Sequence, residues 1–489
     1  MKNKTLLLPG FHLPTLRRKP RSEPQRLADR LQLIREKSIS QLHDCFGPFI
    51  PNTLLQTATS GTFSRQRLFT KANTFWGFFT QILNADGGCQ EVVRKFQAFA
   101  AGKAIKIPSS STAAYCKARQ RFPLENLEQI LSNTASELQK KIKLHSFQQR
   151  RVIVVDGTGL SMPDTAANQA RWPQQSQQTP GCGFPQARLS ACFCLQSSAL
   201  LSYRIGNRKQ QELPLLREQW QSLENGDILL GDKAYCSYYD IARLQAQGVD
   251  TIVTLGIRKP TIEANAVAVL GDGDLLVHWK KPKYSDQLSY SEEAWTTLPD
   301  RLLMRQVRVR ISHPGFRSKE FYIVTTLTEQ KQYPSHAIAD LYLQRWDVEL
   351  FLRDLKTTMG MDILRCKTPE MVEKEVMMHL IVYNCVRLLI NKAADQNKVE
   401  QRNISFKAAL QALRQWQPLL DDVRLKQTER RRVLSGLIKA IAKKAIIKRP
   451  GRREPRCVKR RPKPFALLTA PRHIMVEIPH RGRYHAKSV

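Results

Sequence analysis

The sequence predicts an α/β fold: a mixed sheet flanked by helices, interrupted by a β-rich insertion, with a helical N-terminal domain and a basic C-terminal segment. Three observations carry that expectation. Residues 150–256 alternate short apolar or β-branched runs with amphipathic stretches. Residues 61–149 show helical patterns. Residues 257–319 alternate apolar and polar side chains around the turn signal Gly271-Asp-Gly-Asp274. A chain of 489 residues has room for roughly two to four domains.

Residues 1–60 form a basic arm broken by Pro9, Pro14, Pro20 and Pro24, with a short helix near Arg26–Glu36. Apolar Thr74–Leu83, amphipathic Gln90–Phe99 and Ser111–Arg121 read as helices, the last opening on a serine cluster that can cap it. Lys117, Arg119 and Arg121 suit either a phosphate-contacting recognition helix or an ordinary basic surface. Strands are expected at Arg151–Val155, Leu189–Leu195, Leu200–Ile205, Asp227–Leu230 and Thr251–Leu255, with helices at Gln210–Leu223 and Tyr238–Gln247. Three strands on short links followed by helix–strand units make a mixed sheet. Leu275–Trp279 and Gln306–Ile311 are strands of the insertion. The sheet then resumes at Phe321–Leu327, and Met371–Ile390 is a closing helix.

The charge narrows the partner. Lys and Arg number 78 against 42 Asp and Glu, a formal charge of +36, which fits a polyanion and an affinity that falls with salt. From Arg424 to Val489 there are 21 basic and three acidic residues, so half the excess sits in the last stretch. Leu434, Leu437, Ile438, Ile441 and Ala442 alternate there with cations at helical spacing, which favours a DNA-contacting segment over a solvated tail. The ten cysteines are scattered without a Cys-x-x-Cys pair, as expected of reduced thiols in the cytoplasm. Pro9 cuts short the Leu6–Leu8 run, and Arg387 and Lys392 interrupt Ile381–Ile390, so neither a signal peptide nor a membrane span is expected. The sequence has neither a Walker loop nor a His-Glu-x-x-His motif, and no nucleotide cofactor is expected.

The densest signal is Leu341–Lys356. Tyr342, Arg345, Glu349 and Lys356 stand at offsets of 0, 3, 7 and 14, within roughly 60° of one another on a uniform α-helix. Leu341, Val348, Leu352 and Leu355 form an apolar stripe beside them. Singly, each polar residue suits a solvated helix face; jointly, a carboxylate between cations suits a site for a metal and a phosphate. Two further carboxylates, Asp156 and Asp232, follow the strand signals Arg151–Val155 and Asp227–Gly231. With Glu349 they give three oxygen ligands of the kind hard divalent cations take, and paired ions can clamp both oxygens of a phosphoryl displacement.

This pattern resembles the tyrosine–arginine–glutamate–lysine signature of the DDE transposases of insertion-sequence family four. Ser161–Thr165, Pro180–Pro185, Gly231–Tyr238, Thr357–Lys367 and Pro450–Arg456 resemble the same family, whose likeness runs from about Arg67 to about Arg472. The resemblance implies a ribonuclease H-like core in two parts, 150–256 and 320–393, around the insertion, with a DNA-end-binding domain at 61–149 and a DNA-contacting or dimerisation segment at 394–489. It implies catalysis and metal binding by Asp156, Asp232 and Glu349 with two Mg²⁺ or Mn²⁺ ions. It also implies cut-and-paste transposition through a hairpin, on double-stranded terminal inverted repeats and target DNA, by a homodimer. Tyr342, Arg345 and Lys356 would then hold substrate. Lys233 stands where many relatives carry arginine, which loses the planar fork for phosphate. An aromatic wedge for a flipped base is implied in the insertion; Trp279, before Lys280, Lys281 and Lys283, is the first candidate and Trp295 the second, against a core role for either. A metal-dependent nuclease without strand transfer, an inactive DNA-binding derivative and an RNA-binding protein are the alternatives.

Overall fold

The computed structural model describes residues 42–46, 49–64, 68–102, 106–140, 147–208, 210–285, 290–311, 320–422, 425–446, 468–478 and 483–486. The Arg26–Glu36 helix, most of the N-terminal arm and Pro450–Arg456 lie outside the described residues.

Four helices come first: α1 (Lys71–Leu83), α2 (Cys89–Gly102), α3 (Ala113–Arg121) and α4 (Leu124–Lys140). Thr70 caps α1 by accepting from the Asn73 N–H, and the helix is buried on nearly every side, as its unbroken apolar run requires. Next comes β1, Val152–Ser161, longer than expected. Gly157 and Gly159 do not end it, because β2 (Gln186–Cys194) pairs with it antiparallel from Ile153 to Ser161. β3 (Leu200–Asn207) follows, then α5 (Glu212–Arg217), β4 (Ile228–Gly231), α6 (Tyr238–Ala246) and β5 (Asp250–Thr254). The expected helix Gln210–Leu223 is only the short α5 and a separate 3₁₀ turn at Trp220–Ser222.

The insertion supplies β6 (Ala268–Gly271), β7 (Asp274–Lys280) and β8 (Arg301–Arg310), and the chain returns as β9 (Glu320–Thr325). These nine strands form one sheet, in the order β3-β2-β1-β4-β5-β9-β8-β7-β6, and Met475–Ile478 pairs with Arg483–Ala486 in a separate two-stranded sheet. β4 is parallel to β1 and to β5, while every other pairing is antiparallel. The insertion therefore extends the sheet through the β5–β9 pair.

Strand alternation sorts the core onto two faces. Val152, Val154, Leu230 and Ile252 belong to the larger core, shared with α1, α4 and the long helix α9 introduced below. Ile153, Val155, Leu229 and Val253 face the second core, with α6 and the insertion's Trp279 and Trp295.

The 335–358 stretch crosses the first face as α7 (Ser335–Leu343), a 3₁₀ turn at Gln344–Trp346, α8 (Asp347–Arg353) and a π-turn at Asp354–Thr358. This corrects the uniform helix assumed from the sequence, since both turns change the angular step per residue. The π-turn is anchored: buried Asp354 accepts from Arg387 Nη2 at 2.9 Å, on α9 (Pro369–Asn397). α10 (Phe406–Leu420) and α11 (Gln427–Lys443) pack on α9. Leu437, Ile438 and Ile441 seat α11, while Arg431, Arg432, Lys439 and Lys443 point to solvent.

Candidate active site

The register of β1 against β4 sets the site. Val154 lies opposite Leu230 in a parallel pair, so two residues further on Asp156 and Asp232 come level and leave by the same face. Asp156 Oδ1 accepts from the Gly157 N–H at 2.7 Å. Asp232 Oδ1 accepts from the Ala234 N–H at 2.7 Å and caps the 3₁₀ turn Lys233–Tyr235. Burial pushes the Asp156 carboxyl up to about 6; the Gly157 N–H and the Arg345 charge pull it down, while Glu212 and Asp232 push it further up.

Helix α8 lies across β1 on this face, seated by buried Val348, Phe351 and Leu352. Its Glu349 points outward, with a side chain 60% exposed, and its Oε1 is 3.9 Å from Arg345 Nη2. The Arg345 guanidinium lies over the rings of Tyr342 and Trp346, and its buried Nε has no hydrogen-bond partner among the described residues. Arg345 therefore acts on Asp156 from one side and on Glu349 from the other. Asp156 and Asp232 are brought together; Glu349 is held off by the arginine. Among the described residues, no three acidic, histidine or cysteine side chains converge closely enough to share an ion.

The remaining predicted residues separate. Lys233 is exposed directly after Asp232, and Lys356 sits half-buried on the π-turn. Tyr342 is only 4% exposed. Its hydroxyl bonds Thr254 at the end of β5 and its ring packs on Phe321. The Tyr342 ring is part of the core and its hydroxyl is engaged by Thr254. Trp279 occupies a core position as well. It is 5% exposed, packs in the second core, and Arg258 covers its ring at 4.6 Å. Trp295 is buried against Tyr290. Alternation explains Trp279, whose indole leaves β7 on the face that the insertion uses as its own core, while Trp295 is buried on the short helix Glu292–Thr296.

The sequence reading missed Glu212. Its Oε1 would lie 2.8 Å from a Cβ built on Gly157, and burial together with Asp232 pushes its pKa up while Arg188 pulls it down. The signal was the glycine after Asp156, which leaves space for a neighbour. Nothing in the sequence said which neighbour fills it.

Every donor at the sheet end is a carboxylate oxygen or hydroxyl, and the crowding of acids around Asp156 is of the kind a divalent cation relieves. Acids set level on adjacent strands beside arginine and lysine are an arrangement of the kind that suits a phosphate and a divalent cation.

Comparison with known proteins adds a family likeness over part of the chain. Residues 147–385 match the transposase DDE domain. The chain is 26% identical over 363 residues to the transposase InsG for insertion sequence element IS4 from Escherichia coli (strain K12), covering 74% of this chain and 78% of the relative. Among solved structures, the piggyBac transposase synaptic complex with hairpin DNA matches at 11% identity and a TM-score of 0.40, over 83% of this chain and 86% of that one. The Mos1 transposase paired-end complex with left transposon end matches at 14% identity and a TM-score of 0.15, over 35% and 58%. Residues 147–385 are thus similar to a transposase DDE domain, and about three quarters of the chain is similar to an insertion-sequence transposase. No helix among the described residues is long and apolar enough to cross a membrane.

Proposed function

We propose that the chain excises and inserts a bacterial insertion sequence by cut-and-paste transposition, with Asp156, Asp232 and Glu349 as its catalytic carboxylates. The observation that carries this reading is the level placement of Asp156 and Asp232 on parallel strands, with the Glu349 helix laid across the same face. The strand order β3-β2-β1-β4-β5, in which only β2 runs against the other four, supports a ribonuclease H-like core.

The three acids would hold two Mg²⁺ or Mn²⁺ ions. When bound, such ions acidify a water and stabilise the departing 3′-oxygen. The chain's own groups do the rest. Arg345 and Lys356 draw the scissile phosphate to the acids, with Lys233 adding charge beside Asp232. A phosphate oxygen competes for Arg345 with Glu349, whose Oε1 lies 3.9 Å from Arg345 Nη2, and frees Glu349 to turn toward the aspartates. Exposed cations on α11 and on α3 meet the DNA backbone outside the site, and the groove of about 800 Å³ beside Ser109, Ser111, Lys117 and Arg121 supports an end-binding role for that domain. We assign the partners as the terminal inverted repeats and target DNA, the working form on DNA as a homodimer, and the compartment as the cytoplasm.

The test is cleavage of a plasmid carrying the element's ends. Asp156→Asn, Asp232→Asn and Glu349→Gln are each expected to abolish Mg²⁺-dependent nicking while retaining end binding. Full nicking by one of them removes that residue from the triad. Nicking without joining in a strand-transfer assay would instead identify a nuclease.

A further inference from the structure

Two sulfurs meet where the helical domain packs on the core. Cys89 opens α2, Cys116 lies one residue before Lys117 on α3, and their Sγ atoms are in hydrogen-bond contact at 3.8 Å. On either side of them, Arg365 reaches Asp86 at 3.9 Å and Lys374 of α9 donates to the Gln120 carbonyl at 2.7 Å. Both cysteines are partly exposed, whereas Cys192, Cys194 and Cys385 are buried in the cores.

Arg119 faces the pair. It is turned inward and only 6% exposed, unlike its exposed neighbours Lys117 and Arg121. Its Nη2 lies 3.2 Å from Cys89 Sγ and 4.0 Å from Cys116 Sγ, and its Nη1 donates to Gln81 Oε1 at 3.2 Å. Among the described residues its hydrogen bonds thus go to sulfur and to an amide, not to a carboxylate. A buried cation needs a counter-charge, and a thiolate supplies one. The hydrogen bond between the sulfurs pushes Cys116 below the usual thiol range and Cys89 above it; burial raises both, and the Arg119 charge lowers both.

The same two helices are the walls of the groove described above. Val93 and Phe96 line it from α2, and Ala114, Lys117 and Arg121 line it from α3. Gln90 and Gln97 of α2 hold the loop between them, donating to the Ser110 and Pro108 carbonyls at 3.2 and 2.9 Å. A change of spacing at the sulfurs is therefore passed to Lys117 and to the groove.

We propose that Cys89 and Cys116 form a peroxide-responsive dithiol, whose closure to a disulfide resets the α2–α3 groove and weakens its hold on DNA ends. The effect on DNA rests on the end-binding reading given above. The Cys116 thiolate attacks one peroxide oxygen, the O–O bond breaks, and the departing hydroxide takes a proton from solvent to become water. Cys89 then attacks the sulfenic sulfur of Cys116, and the hydroxide displaced there leaves with the Cys89 proton as a second water. The two sulfurs give up two electrons and the peroxide takes them. Closure draws the sulfurs from 3.8 Å to about 2.05 Å and strips Arg119 of its negative partner. Thiols of a reducing compartment return the pair to its open form.

The test uses the reduced full-length protein, with hydrogen peroxide as the probe. Differential alkylation read by peptide mass spectrometry is run beside end binding by gel shift. A Cys89–Cys116 cross-linked peptide is expected, forming about tenfold faster than Cys182 oxidises at neutral pH. End binding should fall several-fold and return on treatment with dithiothreitol. Cys89→Ser and Cys116→Ser should each keep end binding through the same exposure, and Cys89→Ser should leave a sulfenic acid at Cys116 that dimedone traps. Absence of the cross-link at doses that oxidise Cys182 overturns the proposal, and so does a cross-link with unchanged end binding. Both outcomes are read on wild type, so a variant that fails to fold does not decide them. A reduced protein that binds no ends, yet forms the cross-link, would instead sink the end-binding reading.

Discussion

The insertion and the central strand ends treat buried charge in opposite ways. In the insertion, Arg305 is 0% exposed, and its Nε and Nη2 meet both oxygens of Asp274 at 2.7 and 2.6 Å while Nη1 donates to the Tyr333 carbonyl. Arg217 closes on Asp240 in the same two-pronged way at 2.7 and 2.8 Å. At the strand ends, each aspartate takes a single backbone N–H, the Arg345 Nε has no partner, and Tyr235 keeps a spare proton. A closed pair locks two segments together and leaves no valence for anything else. An open cluster is destabilising by itself and becomes favourable only with a ligand. Which acids serve the fold and which serve the chemistry can be read from that contrast.

The sharpest way to break the comparison is to neutralise one member of each kind. Asp156→Asn is expected to cut nicking by about a thousandfold or more while leaving the melting temperature equal or higher. Asp274→Asn should leave Arg305 buried and uncompensated, lowering stability by about 3–5 kcal/mol. Thermal melts beside nicking rates decide both, and a large fall in melting temperature for Asp156→Asn would erase the distinction.

Arg345→Ala comes next. It removes the cation between Asp156 and Glu349 and is expected to lower cleavage about a hundredfold, with end binding changed only slightly. Equal losses in both would make Arg345 a general DNA contact.

Proton linkage sharpens the contrast further. The folded Asp156 carboxyl titrates near 6 against an ordinary value of 3.8, so between those values the folded state binds more protons than the unfolded one. Stability of the metal-free protein should therefore fall as pH rises through that window, by at most about 3 kcal/mol. The loss is complete above about pH 6. Mn²⁺ should restore more stability at pH 8 than at pH 5, and Asp156→Asn should flatten the difference. Melting curves at the two pH values, with and without Mn²⁺, test the sign.

The smallest effect belongs to the insertion. Trp279→Phe keeps an aromatic ring in the second core and is expected to cost about 1–2 kcal/mol by chemical denaturation, with hairpin yield unchanged. A selective loss of hairpin at full stability would return Trp279 to the role of base wedge.

The strands of the core were legible because β-branched runs such as Val152–Val155 bury both faces, and runs of that kind read directly from sequence. The aspartates were legible as acids at strand signals. Their level pairing was not, because register depends on Val154 meeting Leu230 across a long break in the chain. The helical stripe Tyr342–Lys356 gave the right neighbourhood but the wrong exposure for Tyr342, since the 3₁₀ and π turns and the bond to Thr254 are tertiary in origin. Glu212 was invisible because it sits on a six-residue helix, too short to show a period.

One consequence follows from the β5–β9 pairing. Because the insertion is hydrogen-bonded edge to edge with the central strands, it cannot swing as a hinged flap. It behaves as a rigid outrigger, so whatever surface it presents stands at a fixed reach from Asp232, set by the span of the sheet itself.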